Sequence, residues 1–372
     1  MFLALKEMRR AKVRFALLIA AVALLVFLIL FQQSLQNGLL RGFVGAIEQQ
    51  SAPVLVYSVD GQKVLQASII TPDLEARIVQ ADGVAATGRL AQGSFAATVN
   101  DVLVDVSVIG FDNPDVGAPP ISEGRLPAGG NEVAASEADA ADGFGLGDVV
   151  RIEPGGQEFV VVGLAPESQL NAGPTLFATM ETYGQVLAAR NPDAGAPMPN
   201  AIGVQPAAGV SPDQLVANIN AASNDLDALT KADAAAQTPG VAQVRSSFLV
   251  IFLLYGIVVP LVIGLFFLIV TFQKAGSLTL LRAIGAPASR LVFSLLVQVV
   301  IVLVGGYLLG TLLYYPLTRQ ALGSIRLRFE TGAVIIWAVL LLTLGVLASL
   351  VSARRVMRID PIEATTGAGV SR

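Results

Sequence analysis

The stretch FLVIFLLYGIVVPLVIGLFFLIVTF, residues 248–272, runs for 25 residues without a charged side chain. At 1.5 Å per residue a helix of that length crosses the ~30 Å hydrocarbon core of a bilayer. Its one proline, Pro260, is tolerated where neighbouring helices re-satisfy the freed backbone groups. Working outward, two further apolar blocks follow at Leu291–Tyr315 and Ala333–Val351, and one precedes at Phe15–Phe31. The first block follows a basic cluster, as in a signal peptide. It is longer than such a segment, and Gln32, Gln33 and Ser34 follow where a small-residue cleavage site would stand. It therefore reads as an uncleaved span.

Hydrophobic residues make up 54% of the 372 and charged residues only 14%, against roughly 25% charged in a soluble domain. The chain has no cysteine and no histidine. That removes disulfides, thiolate sites and the usual general base, and no acidic pair stands at catalytic spacing. An enzyme is the weakest class, and nothing in the sequence points to nucleic acid.

Charge is unevenly placed. Residues 1–14 carry Lys6, Arg9, Arg10, Lys12 and Arg14 against Glu7, while residues 32–246 carry 9 Lys/Arg against 24 Asp/Glu. The 273–290 loop holds Lys274, Arg282 and Arg290, and the tail holds Arg354, Arg355, Arg358 and Arg372 against two acids. Short basic segments beside spans stay in the cytoplasm, whereas long domains cross largely regardless of charge. The expected topology has both termini in the cytoplasm, in a cytoplasmic (inner) membrane. Arg319, Arg326 and Arg328 run against the rule, in the outer loop 316–332. Tyr314, Tyr315 and Trp337 sit where an outer aromatic belt belongs.

The expected fold is a membrane protein with four transmembrane α-helices and an α+β extracytoplasmic domain inserted between helices 1 and 2. The divisions are a basic N-terminus (1–14), helix 1 with an outer extension (15–50), the domain (51–240), helix 2 (247–272), a cytoplasmic coupling helix (273–290), helix 3 (291–315), an outer loop (316–332), helix 4 (333–351) and a tail (352–372). Within the domain, β-rich runs occur at Val54–Val59, Val102–Ile109, Val149–Ile152 and Phe159–Val162. Thr71-Pro72-Asp73 and Ser211-Pro212-Asp213 share a capping hydroxyl, a proline at the first helical position and an early acid. They fit either a duplicated strand–helix unit or two independently capped helices. Asp112–Pro120 and Asn191–Pro199 read as loops, and Lys231–Gly240 as a linker back to the membrane.

No Gly-x-x-x-x-Gly-Lys-Ser/Thr run occurs, so nothing cradles a nucleotide phosphate. Few ionisable residues lie within the spans, which argues against a proton relay. Uphill transport would need a partner ATPase. The loop Gln273–Ala286, apolar and lightly basic, suits a helix that docks in such a partner's groove. Here the chain resembles the MacB/FtsX-type ABC permease family, whose coupling segment ends Leu-Arg-Ala-Ile-Gly-Ala, matched by Leu281, Arg282, Ala283, Ile284, Gly285 and Ala286. The family's C-terminal motif is matched by Ala353, Arg354, Arg355, Asp360, Pro361, Glu363 and Ala364. Its domain pattern is matched by Gly124, Arg125, Glu132, Val133, Leu146, Gly147, Asp148, Val150, Val161, Val162 and Gly163. Ala275–Thr279 is less charged than the family's Arg-x-x-Glu-Ile-Gly, which bears on the docking contacts. The resemblance implies a permease homodimer or heterodimer on two ATPase subunits, with no intrinsic cofactor and ATP held by the partner. Membrane lipids surround it. Gly306-x-x-x-Gly310, with Gly305, would allow close helix approach, within one subunit or between two.

Arg41, Gly45, Glu48 and Ala52 fall on one face if the first helix continues outward, and Gly38, Gly42 and Gly45 clear space beside it. Glycine costs roughly 1 kcal/mol against alanine inside a helix, so three suggest close approach by a partner helix or a flat ligand. The N-terminal run and this segment look most like the haem-efflux (HrtB-type) permeases of the family. With haem as transported substrate, Glu48 is a possible iron ligand, Arg41 a propionate partner, and Gly38, Gly42 and Gly45 complete the site. The opposing reading makes Glu48 the first solvated acid of the domain. Export of lipid, lipoprotein, peptide or drug is an alternative, as is an FtsX-like subunit that actuates an outside partner and moves no substrate.

Overall fold

The computed structural model describes residues 11–283, 287–319, 321–322 and 325–357. It divides into two compact units: residues 37–246 with 321–326, and the remainder. Helix α1 (Lys12–Glu48) is continuous over 37 residues and enters both.

The chain of the first unit continues as β1 (Val54–Ser58), α2 (Pro72–Gln80), β2 (Val84–Val99), β3 (Val102–Phe111), β4 (Glu123–Gly124), β5 (Glu132–Ser136), β6 (Val149–Glu153) and β7 (Gln157–Ala165). Then come β8 (Thr175–Thr179), α3 (Met180–Arg190), β9 (Ala201–Pro206), α4 (Pro212–Ala222), β10 (Leu226–Thr230) and α5 (Lys231–Gln237). β10, β1, β9 and the first half of β2 form an antiparallel sheet in that order. Helices α2 and α4 pack on it through Leu74, Ile78, Leu215 and Ile219, against Val54, Val56, Ile202 and Val204. The two β-α-β pieces, β1-α2-β2 and β9-α4-β10, make a split βαββαβ lobe. Their helix starts are alike in detail: Thr71 Oγ1 accepts from Leu74 N at 3.5 Å and Ser211 Oγ accepts from Gln214 N at 3.2 Å. Of the two readings of those starts, the repeated strand–helix unit fits this arrangement.

The long insertion between β2 and β9 closes a barrel. β2 pairs β3, β3 pairs β8, β8 pairs β5, β5 pairs β7, β7 pairs β6, and β6 returns to β2 at Ala96–Thr98. Closure satisfies the strand edges that an open sheet would expose. Phe95, Val106, Val108, Val133, Phe159 and Leu176 fill the interior. β2 is 16 residues long because it serves both lobes. Asn100 and Asp101, with φ of 50° and 62°, turn it into β3, the left-handed pair a two-residue hairpin needs.

A third core lies between the lobes, where Val44, Ala46 and Ile47 of α1 meet Tyr57, Phe111, Phe177, Ala234, Ala235 and Val241. The expected linker Lys231–Gly240 is corrected here. Lys231–Gln237 is the helix α5, capped by Thr230 and burying Ala234 and Ala235. A run so rich in alanine and polar residues has a weak apolar period, and its core role comes from tertiary packing. The Asp112–Pro120 loop likewise contains one helical turn, Pro114–Gly117, with Val116 buried.

The second unit holds α1 up to Gln36, most of α6 (Val241–Ala283), α7 (Ala288–Tyr314) and α8 (Thr331–Met357). Among the described residues, four helices are long and apolar enough to span a membrane. Val26, Ile29, Leu30, Ile263, Val299 and Leu341 form their shared core, while Leu249, Leu253, Ile257, Leu308 and Leu312 face outward. A Cβ added to Gly306 would lie 2.6 Å from the Val22 side chain, and one on Gly310 would lie 2.5 Å from Ala23 O. The Gly306/Gly310 pair thus seats α7 on α1 of the same chain. Residues Gln273–Ala283 continue the helix of the second span and do not begin a separate one.

Candidate functional site

Helix α1 runs 17 residues past Phe31, about 25 Å of helix axis. Its last residues, Asn37–Glu48, belong to the α+β unit. There it is built into protein: Val44, Ala46 and Ile47 are 0–3% exposed.

What packs on it is the loop between β7 and β8. Ala46 N donates to Gln169 O at 2.8 Å, Asn171 N to Phe43 O at 3.0 Å and Ala172 N to Gly42 O at 2.8 Å. The loop thus shares backbone groups that an undisturbed helix would use for itself. A Cβ on Gly45 would stand 2.1 Å from Glu167 O, and one on Gly42 would touch Ala172 at 3.5–3.6 Å. The expected gap for a partner helix or flat ligand is corrected at these two positions, because the chain's own loop fills it. Gly38 is buried. The helix also stops at Glu48, so Ala52, itself buried, is not on the helical face of Arg41, Gly45 and Glu48.

The loop is held from its other side. The buried Asp139 carboxylate accepts from Gln169 Nε2 at 2.5 Å and from Thr175 N at 3.3 Å. Thr175 Oγ1 accepts from Leu170 N at 2.8 Å. Glu167, Asn171 and Ala172 have φ of 50–56°, a region that costs non-glycine residues roughly 1–2 kcal/mol each. The backbone bonds and the Asp139 anchor hold them there.

Two predicted site residues come together in a charged group with two that sequence reasoning missed. Arg41 Nε lies 3.6 Å from Glu167 Oε2. Burial pushes the Glu48 carboxyl above the usual carboxylate range, Arg245 and then Arg41 oppose the rise, and Glu167 adds to it. The two acids and two bases sit at one end of α1. Arg41 already has a carboxylate partner. The signal for Arg245 was present in the sequence, since it precedes the second span as the last base of a long acidic stretch. Glu167 carried no signal, being 126 positions from Arg41. Among the described residues no group of three or more metal-binding acids occurs.

The family-type motifs separate by role. Arg125 and Glu132 form a two-bond ion pair, with Glu132 also accepting from Ala128 N at 3.1 Å. A Cβ on Gly163 would meet Arg125 O at 2.1 Å, and Gly124 and Gly147 have φ of 80° and 85°. These residues shape the barrel. Leu281, Arg282 and Ala283 occupy the last turn of α6, while Ile284, Gly285 and Ala286 lie outside the described residues, as do Asp360, Pro361, Glu363 and Ala364. Arg14 Nη1, near the start of α1, donates to Gln273 Oε1 of α6 at 2.5 Å, with its guanidinium over Phe15 and Phe266.

No family model matches the chain. It is 22% identical over 378 residues, 99% of each protein, to a Staphylococcus epidermidis protein named as the hemin transport system permease HrtB. It is 27% identical over 371 residues, again 99% of each, to an uncharacterised ABC transporter permease of Mycobacterium tuberculosis. The whole chain resembles ABC transporter permeases. This agrees with the resemblance to MacB/FtsX-type permeases carried by the motifs, and this permease-like chain is a multi-pass membrane protein. The periplasmic region of MacB from Actinobacillus actinomycetemcomitans aligns with 49% of the chain and 92% of its own at 14% identity, with a TM-score of 0.36.

Proposed function

We propose that this chain is the permease subunit of an ABC exporter for an amphipathic cargo, haem being the favoured one. It sits as a dimer on two copies of a partner ATPase, with both termini in the cytoplasm. The observation that carries the reading is full-length similarity to ABC permeases, one of them named for hemin transport, in a chain with four spans and no phosphate-cradling loop. Leu281–Ala286 is where the ATPase docks. Glu48 and Arg41 make the cargo site at the end of α1. With no histidine or cysteine in the chain, carboxylate, tyrosine and methionine are the remaining ligands. Glu48 supplies oxygen to the iron by its place at the end of α1. Arg41 is shared between Glu167 and a propionate.

The test is purification with the co-encoded ATPase followed by an absorbance scan with added haem. A Soret shift and haem-stimulated ATP hydrolysis are expected, and both should fall about tenfold or more in Glu48→Ala, as for loss of a ligating group. Full binding and stimulation in that variant would remove Glu48 from the site, and no response in the native protein would remove haem. A second reading, actuation of an outside partner without cargo, is favoured by one observation: the space beside Gly42 and Gly45 is filled by the 167–172 loop.

A further inference from the structure

Residues 316–332 join spans 3 and 4, and four alternating spans put them on the same side of the membrane as the domain between spans 1 and 2. That side is acidic, with 24 acids against 9 bases in residues 32–246, yet this short loop has Arg319, Arg326 and Arg328 with Glu330 as its one acid. Basic residues are disfavoured in short loops that must cross, so their presence needs a cause.

The surroundings of Arg319 supply one. The turn Tyr315–Arg319 ends α7 and places the Arg319 guanidinium 5.1 Å above the Tyr315 ring, with Nη2 donating to Tyr315 Oη at 3.0 Å. Tyr315 in turn packs edge-on to Phe329 at 5.6 Å, and Phe329 lies 6.1 Å from Tyr314. The backbone beneath is tied down: Arg328 N donates to Ser34 Oγ at 3.1 Å, and Tyr314 Oη donates to Arg328 O at 2.9 Å. Leu312 and Leu313, on the adjoining turn, are exposed apolar side chains, as expected for a helix end at the lipid boundary. Arg319 makes no ion pair with any described residue. Apart from the Nη2 bond to Tyr315 Oη, no ion pair among the described residues engages the guanidinium's remaining N–H donors, and that fork matches phosphate oxygens.

We propose that Arg319, laid on Tyr315, binds the phosphate of an anionic lipid headgroup in the leaflet on the domain side. The site is independent of the cargo reading and stands or falls without it. The test uses the full chain in detergent, titrated with phosphatidylglycerol or phosphatidylcholine and read by native mass spectrometry. Arg319→Gln is expected to retain phosphatidylglycerol about tenfold more weakly, the loss of a charge-assisted contact. Arg77→Gln, an exposed arginine on α2, should be unchanged. Tyr315→Leu keeps the charge but removes its platform, and should weaken retention several-fold. Retention unchanged in both Arg319→Gln and Tyr315→Leu would overturn the proposal. So would displacement of the lipid by excess inorganic phosphate, which would make this a soluble-phosphate site.

Discussion

Glu48 and Glu132 are carboxylates pushed in opposite directions. Burial raises Glu48, so the folded chain binds its proton more readily than the unfolded chain does. That contribution is present at low pH and lost as pH rises above about 4.5, the unfolded value. Glu132 is held at about 2 by the Arg125 hydrogen bonds and by Ala128 N. Its contribution is present above pH 4.5 and lost as pH falls toward 2, and solvent exposure keeps it small. In thermal unfolding of the full chain, Glu48→Gln should flatten the decline on the alkaline side of 4.5. Glu132→Gln should flatten the loss on the acid side. The same slope in native and variant proteins would contradict the assignments. Glu48 was visible in the sequence as the acid ending a helix, whereas its burial and the Arg245 beside it come from packing.

At the scale of elements, the outer end of α1 and the 166–173 loop form a clasp of three backbone hydrogen bonds, one ion pair and two glycine contacts. A Cβ on Gly42 would lie 3.6 Å from Ala172 Cβ, within the range of a disulfide, and the chain has no native cysteine. The double variant Gly42→Cys/Ala172→Cys should oxidise spontaneously and raise the unfolding temperature, reversibly with reductant. Gly45→Ala, which drives a methyl into Glu167 O, should destabilise by about 2–3 kcal/mol. Failure of the disulfide to form would show that the loop does not sit on the helix in solution. The sequence marked Gly42 and Gly45 as places of close approach and misjudged what approaches. A glycine records that space is needed, and the occupant lies more than 120 positions away.

The whole α+β unit is two lobes threaded on one strand. β2 pairs with β9 at one end and β6 at the other, and α1 contributes to the core between them. Such sharing predicts cooperative unfolding. Phe177→Ala, at a fully buried barrel-strand position in that core, should cost about 3–5 kcal/mol. Hydrogen exchange on the full chain should then show β1, β10 and β7 losing protection together. Loss confined to the barrel strands would mean the lobes open independently.

The sequence by itself determined the four spans, the place of the inserted domain and the capped starts of α2 and α4. Those rest on long apolar runs and on local cap chemistry, which neighbours along the chain suffice to specify. Tertiary structure decided the closed barrel, the helix at Lys231–Gln237, the seating of α7 on α1 through Gly306 and Gly310, and the filling of the space beside Gly42 and Gly45. Each of these depends on which distant surface supplies the partner, and a glycine, an alanine run or a strand edge leaves that partner unnamed.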